Sequence, residues 1–302
     1  MSLDYTLLDV FTDVPFGGNP LAVFLDGRDI ADALMQRLTR ELNLSETTFV
    51  LPPTVEGATH QVRIFTPGAE VPFAGHPTVG TAVILAMREQ PDADEVEFVF
   101  QEKVGLVPVR VVRDGHAWRA ELTTAQVPAR RAAPDVAVLA DALCLAPEDI
   151  ELDGAAPAVW SCGLPFTFVR VTSREALGRC ALRTEAWLRH PHAQVAPMLY
   201  PYTLDTGNPA VQVRSRMFAP DIGVPEDPAT GSAASALAGA LHAAAAHADG
   251  TRTVVIHQGV EMGRPSELQL TTTVAAGVIT QVRVGGSAVR MGEGRFSEVV
   301  HG

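Results

Sequence analysis

"RIFTPGAEVPFAGHPTVGTA" (residues 63–82) and "RMFAPDIGVPEDPATGSA" (residues 216–233) are two versions of one phrase. Arg63, Phe65, Pro67, Val71 and Pro72 match Arg216, Phe218, Pro220, Val224 and Pro225 at one fixed offset. After two residues drop out, His76, Pro77, Gly80 and Ala82 match Asp227, Pro228, Gly231 and Ala233. The offset spans about half the chain, which reads as an internal duplication.

Working outward, "GNPLAVF" (18–24) aligns with "GLPFTFV" (163–169), and a helical pattern follows each. The first is "DIADALMQRLTREL", with Asp29 as its expected cap and Ile30, Leu34, Leu38 and Leu42 on one face. The second is "SREALGRCALRTEAWLRH", read as one helix capped by Ser173. A β-rich stretch comes next in both halves. The repeated phrase then enters a small-residue apolar helix, "HPTVGTAVILAMRE" in the first half and "PATGSAASALAGALHAAAAH" in the second. A helix apolar on nearly all sides belongs inside the protein. Alternating strands close each half. "WRAEL" puts Trp118, Ala120 and Leu122 on one face, "SELQLTTTV" does so with Leu268, Leu270, Thr272 and Val274, and "VITQVRV" with Val278, Thr280, Val282 and Val284. The class is α+β. The expected halves are 1–126, joined by a closing segment near 287–302, and 127–286. "VPARRAAPDVAVLADAL" (127–143) is the expected linker. Two such halves are expected to share one ligand site between them.

Bulk properties narrow the function. The 302 residues carry a net charge of −12, which argues against nucleic acid as a partner. No apolar run reaches membrane-helix length, and the start "MSLDYTLLDVF" lacks a basic signal-peptide region. Cys144, Cys162 and Cys180 are odd in number and lack CxxC spacing, so no disulfide framework or zinc site is expected and a cytoplasmic location fits. "HPH" (190–192) is too weak a pattern to predict a metal. There is no GxGxxG after a strand and no GxxxxGK[ST], so no nucleotide cofactor is expected.

The repeated helix starts hold the chemistry. Pro77 and Pro228 suit a helix entry, and Thr78, Thr230 and Ser232 offer hydroxyls. Gly80 and Gly231 remove the Cβ, so something can come close to the backbone, and the small-residue content of each helix lets surrounding strands approach closely. The N–H groups of a helix start favour an anion, here a small carboxylate. His76 and Asp227, at equivalent positions, are the titratable pair. Ser45 and Glu46, in "NLSETTFVL" (43–51), sit where a helix gives way to a strand; a carboxyl buried there becomes a usable acid–base.

"DVFTDVPFGGNPLAVF", "NLSETTFV", "FTPGAEVPFAGHPTVGTA", "EDPATGSAASAL", "QGVEMGRPS" and "VRVGGSAVRMGEG" together resemble the PhzF family of phenazine-biosynthesis isomerases, from about Asp9 to Gly292. The resemblance implies the diaminopimelate-epimerase-like fold, with a barrel-like sheet around a central helix in each half. It implies a homodimer and a cofactor-independent isomerase, whose reference reaction is isomerisation of trans-2,3-dihydro-3-hydroxyanthranilate. It makes Glu46 the proton carrier and places His76, Asp227 and Ser232 against substrate. Gly75 and Gly231 then flank the carboxylate-binding backbone, and Ser45 joins the binding set. Related epimerases of this fold use one cysteine from each half, and those places here are His76 and Asp227. Epimerisation of an amino-acid-like substrate without thiols, and a non-catalytic carboxylate-binding protein, are the two alternatives.

Overall fold

The computed structural model describes residues 2–245 and 247–297. The expected closing segment 287–302 and the apolar stretch 228–247 therefore include positions, 298–302 and Ala246, that lie outside the described residues. The chain forms two compact units, Met1–Thr123 with Gly285–Gly302, and Thr124–Val284.

The first unit contains β1 (Leu3–Val10), β2 (Asn19–Phe24), α1 (Asp32–Leu42), β3 (Glu46–Leu51), β4 (His60–Phe65), β5 (Glu70–Val71), α2 (Gly75–Glu89), β6 (Glu95–Glu102), β7 (Gly105–Asp114) and β8 (Ala117–Thr123). The second contains β9 (Ala129–Ala132), α3 (Val136–Ala142), β10 (Ala158–Ser161), β11 (Pro165–Arg170), α4 (Arg174–Arg179), α5 (Thr184–Arg189), β12 (Met198–Thr203), β13 (Val213–Ser215), α6 (Gly231–Ala244), β14 (Gly250–Gln258) and β15 (Ser266–Ala275). The last strand, β16 (Val278–Phe296), gives its first residues to the second unit and those from Gly285 to the first.

In the first unit the strands run β1-β2-β3-β4-β6-β7-β8-β16, and β16 pairs antiparallel with β1 to close an eight-stranded barrel. Closure removes the exposed sheet edges. Inside lies α2, buried at every position from Gly75 to Ala86. Gly80 is needed for that packing, because a Cβ there would sit 2.6 Å from both Leu21 and Val10 side chains. What the missing Cβ at Gly80 lets come close is the surrounding strands, as the small-residue content of the helix suggests. The second unit repeats the design: a sheet ordered β16-β15-β14-β13-β12-β11-β10-β9 packs on α6, whose residues Ala233–Ala240 are buried.

The duplicated phrase has a structural cause in each unit. Arg63 grips the Glu70 carboxylate with two bonds, 2.8 and 3.0 Å, and lies over the Phe65 ring. Arg216 grips Glu226 with two bonds of 2.7 Å and lies over Phe218. An Arg and the aromatic two residues on share one face of an extended chain, so each Arg-x-Phe makes one stacked clamp. Each clamp ties the segment leading into the central helix back to the sheet.

Several local expectations change. Asp29 caps nothing; α1 starts at Asp32 after Ala31, and Ile30 joins its apolar cluster from outside the helix. Ser173 does cap, accepting from the Ala176 N–H at 3.1 Å. The expected single helix over 173–190 is two short ones, α4 and α5. Arg216 takes the Cys180 carbonyl at 2.6 Å, and the N–H groups of Ala181 and Arg183 bond back to Leu143 and Ala142. Those long-range bonds replace the helical ones. The stretch 127–143 is no linker: it forms β9, paired with β10, and α3, whose Leu139, Ala140 and Ala142 are buried. Val278 and Thr280 are exposed near the β15–β16 turn, and only Val282 and Val284 of that face reach the core.

The Arg216 side chain is only 10% exposed and the Glu226 side chain 16%. Removing one partner of such a pair leaves a buried charge, a loss of about 3 kcal/mol or more. Arg216→Met is expected to lower unfolding free energy by that amount in urea titrations; Arg216→Met with Glu226→Gln together should recover part of it. A loss below about 1 kcal/mol for the single variant would contradict the clamp.

Candidate active site

The candidate residues of the first unit gather at the first turn of α2. Asn43, with φ +51°, ends α1 and turns the chain so that β3 begins at Glu46. Side chains alternate along a strand, so Glu46 and Thr48 share a face. Thr48 Oγ1 lies 2.9 Å from Thr81 Oγ1 on α2, which registers that face against the buried helix. Glu46 consequently points to the helix start, where its Oε2 is 3.6 Å from Nε2 of His76. The Ser45 hydroxyl donates to Asn19 Oδ1 at 3.1 Å, and Asn19 Nδ2 donates to His76 Nδ1 at 3.3 Å. An amide NH₂ only donates, so His76 Nδ1 accepts and the ring proton sits on Nε2, facing Glu46. Burial drives the His76 pKa down to about 3. The ring is neutral, and Nε2 has no hydrogen-bond partner among the described residues. Gly75 is the first residue of this helix.

The second unit places Asp227 differently. By the repeat, Asp227 is the counterpart of His76, yet α6 begins at Gly231, the counterpart of Gly80. Asp227 thus lies before the helix, while His76 lies within it. The loop is held by Asp227 N–H bonding to Met217 O at 2.9 Å. Gly259, with φ +73°, lets the chain pass Pro228, whose carbonyl oxygen a Cβ would meet at 2.6 Å. Thr230 donates to Asp227 Oδ2 at 2.5 Å. Gln258 donates to the Thr230 hydroxyl at 3.0 Å and to Asp227 O at 2.8 Å, and accepts from the Thr230 N–H at 3.3 Å. The Tyr200 hydroxyl donates to Gln258 Oε1 at 3.3 Å and touches Ser215 Oγ at 2.8 Å. Gly231 and Ser232 open α6, and no side chain caps that helix or α2. The first three N–H groups of α6 have no acceptor within the helix.

Ser45, Glu46, Gly75 and His76 are thus brought together in one unit, and Asp227, Gly231 and Ser232 in the other. Asn19, Gln258 and Tyr200 belong to the same polar clusters and were not expected. Their common signal is a polar residue within or at the end of an apolar strand pattern. Thr230 donates to Asp227 instead of capping α6, and Thr78 lies inside α2.

The Phenazine biosynthesis-like protein family, PhzC-PhzF, matches residues 8–294. The chain belongs to this family. An uncharacterized isomerase of Mesorhizobium japonicum is 40% identical, covering 97% of this chain and 98% of its own. Trans-2,3-dihydro-3-hydroxyanthranilate isomerase of Pseudomonas fluorescens is 34% identical, covering 96% and 98%. The crystal structure of a PhzF-family phenazine biosynthesis protein of Bacillus anthracis superposes with a TM-score of 0.90 at 24% identity, covering 99% and 100%, and confirms the fold. This PhzF-family chain is an isomerase by class, as its full-length relatives are named.

The cysteines rule out one chemistry. Cys144, Cys162 and Cys180 all fall in the second unit, so a thiol pair with one member per unit cannot be built from this chain. Burial also pushes Cys162 and Cys180 up to about 12, which leaves them poor bases. His190 and His192 flank the buried Trp187 ring. No helix among the described residues is long and apolar enough to cross a membrane.

The His76 assignment has a direct check. In ¹⁵N–¹H spectra its ring is expected to remain neutral, protonated on Nε2, from pH 8 down to about 4. Its folded pKa lies below the unfolded one, so it contributes stability above about pH 6.5 that is lost as pH falls toward 3. A His76 resonance that titrates near 6.5 would contradict the buried neutral ring.

Proposed function

We propose that this PhzF-family isomerase works without a cofactor, by moving a carbon-bound proton of a small carboxylate substrate, with isomerisation of trans-2,3-dihydro-3-hydroxyanthranilate as its reference reaction. The observation that carries the reading is the pairing of Glu46 with a neutral His76. An imidazolium at that distance would stabilise the carboxylate and weaken it as a base. A neutral ring does so far less, and offers its Nε2–H as a donor.

In this reading Glu46 takes the proton from one carbon and returns it to another. His76 Nε2–H donates to a substrate oxygen where negative charge develops, the kind of preorganised help that is worth most in a buried setting. Ser45 acts through Asn19 to hold the His76 tautomer. Asp227, fixed by Thr230 and Gln258, is the polar group that the second unit offers to a ligand. The uncapped N–H groups at Gly75 in the first unit, and those at Gly231 and Ser232 in the second, are each suited to an anion such as a carboxylate. The cytoplasm is the proposed location and a homodimer the proposed assembly, both on the family likeness.

Glu46→Gln keeps the shape and removes the base. It is expected to lower kcat at least about a hundredfold while leaving KM within a few-fold and the circular dichroism spectrum unchanged. Turnover close to wild type in this variant would refute the assignment.

A further inference from the structure

Glu102 ends β6 inside the first unit, with 5% of its surface exposed. Its Oε1 is 2.6 Å from the hydroxyl of Thr78, the fourth residue of α2. The same hydroxyl is 2.8 Å from the carbonyl oxygen of Ala74, the residue that opens the helix. Proton counting then decides the state of the carboxyl. A Thr hydroxyl has one proton, and a backbone carbonyl only accepts. An ionised Glu102 would also only accept, so one of the two short contacts would set oxygen lone pairs against each other. With the proton on Glu102 Oε1, the chain is complete: Glu102 donates to Thr78, and Thr78 donates to Ala74. The other oxygen, Oε2, has no hydrogen-bond partner among the described residues. A buried carbonyl oxygen left so is tolerable, whereas a buried unpaired charge is far more costly.

We propose that Glu102 is a positioning residue, kept as a neutral carboxylic acid, whose donated hydrogen bond through Thr78 fixes the first turn of α2 and hence His76. The proposal rests on the role given to His76 above. Burial is what keeps the acid protonated, and it lifts the Glu102 pKa to about 8. Glu46 faces His76 at 3.6 Å, and these other charged groups of the first unit pair elsewhere. His60 pairs with Glu89, Arg63 with Glu70 and Asp32, Lys103 with Glu70, Arg88 with Glu293 and Arg110 with Glu95, while His76 is uncharged. Loss of the Glu102 proton above that pH turns a donor into an acceptor, and Thr78 can no longer serve both neighbours.

The sign for stability follows. A folded pKa above the unfolded one favours the folded state below about pH 4.5, and that advantage is lost as pH rises toward 8. Glu102→Gln donates to Thr78 at every pH through its amide. The deciding measurement needs no substrate: ¹⁵N–¹H shifts of the His76 ring and the Gly75 amide in wild type and Glu102→Gln, from pH 6 to 10. Wild type is expected to shift with a midpoint near 8 and the variant to stay flat. Its melting temperature should also gain on wild type as pH rises. A flat wild-type profile, or the same transition in both proteins, would overturn the proposal. If turnover is present, wild type should lose about tenfold one pH unit above the midpoint and the variant should not. Absence of turnover at every pH would count against the functional reading alone, since the shifts decide the role of Glu102 independently.

Discussion

A helix enclosed on every side carries its polar first turn into the interior with it, where each polar group is costly unless a neighbour serves it. Both units are built around such a helix. In the first, the start of α2 is served by Thr78, Glu102, Asn19 and Ser45; in the second, the start of α6 is served by Thr230, Gln258 and Asp227. The same burial that demands these partners shifts titrating groups away from their ordinary behaviour. His76 loses its affinity for a second proton and Glu102 retains its first. The site's chemistry is thus a by-product of where the fold places its central helices.

Much of this is legible along the chain, and the reason is repetition. A duplicated Arg-x-Phe followed by a Gly-rich apolar helix marks both clamps and both helix starts, and the alternating strands around them follow from period-two patterning. Ser45 and Glu46, in one motif, and Gly75 and His76, in another, lie together in the first unit. The parts that escape are those decided at long range. The break between α4 and α5 depends on Arg216 and α3, which lie far off in sequence. β9 and α3 hide in an Ala- and Pro-rich stretch whose composition favours a loop. Asn19, Glu102 and Gln258 look like ordinary strand-end polar residues; only burial marks them.

The duplication is also imperfect where function is concerned. His76 sits in the first helical turn, while Asp227 stands before the helix, its loop set by Gly259 and its carboxylate held by Thr230. The two units therefore present different chemistry at equivalent sequence positions: a neutral imidazole beside a carboxylate in one, a hydrogen-bonded carboxylate in the other. With every cysteine in the second unit, symmetric acid–base catalysis by a thiol from each is closed to this chain. A single carboxylate base is the economical alternative.

That claim is tested most directly by the fate of the migrating hydrogen. Substrate carrying deuterium at the carbon that loses its proton would be converted in ordinary water in a single turnover, and the product examined by NMR. One carboxyl that both removes and returns the proton predicts measurable deuterium at the receiving carbon. Product with no deuterium there, the outcome expected when separate groups remove and deliver protons, would contradict the assignment of Glu46 as sole carrier.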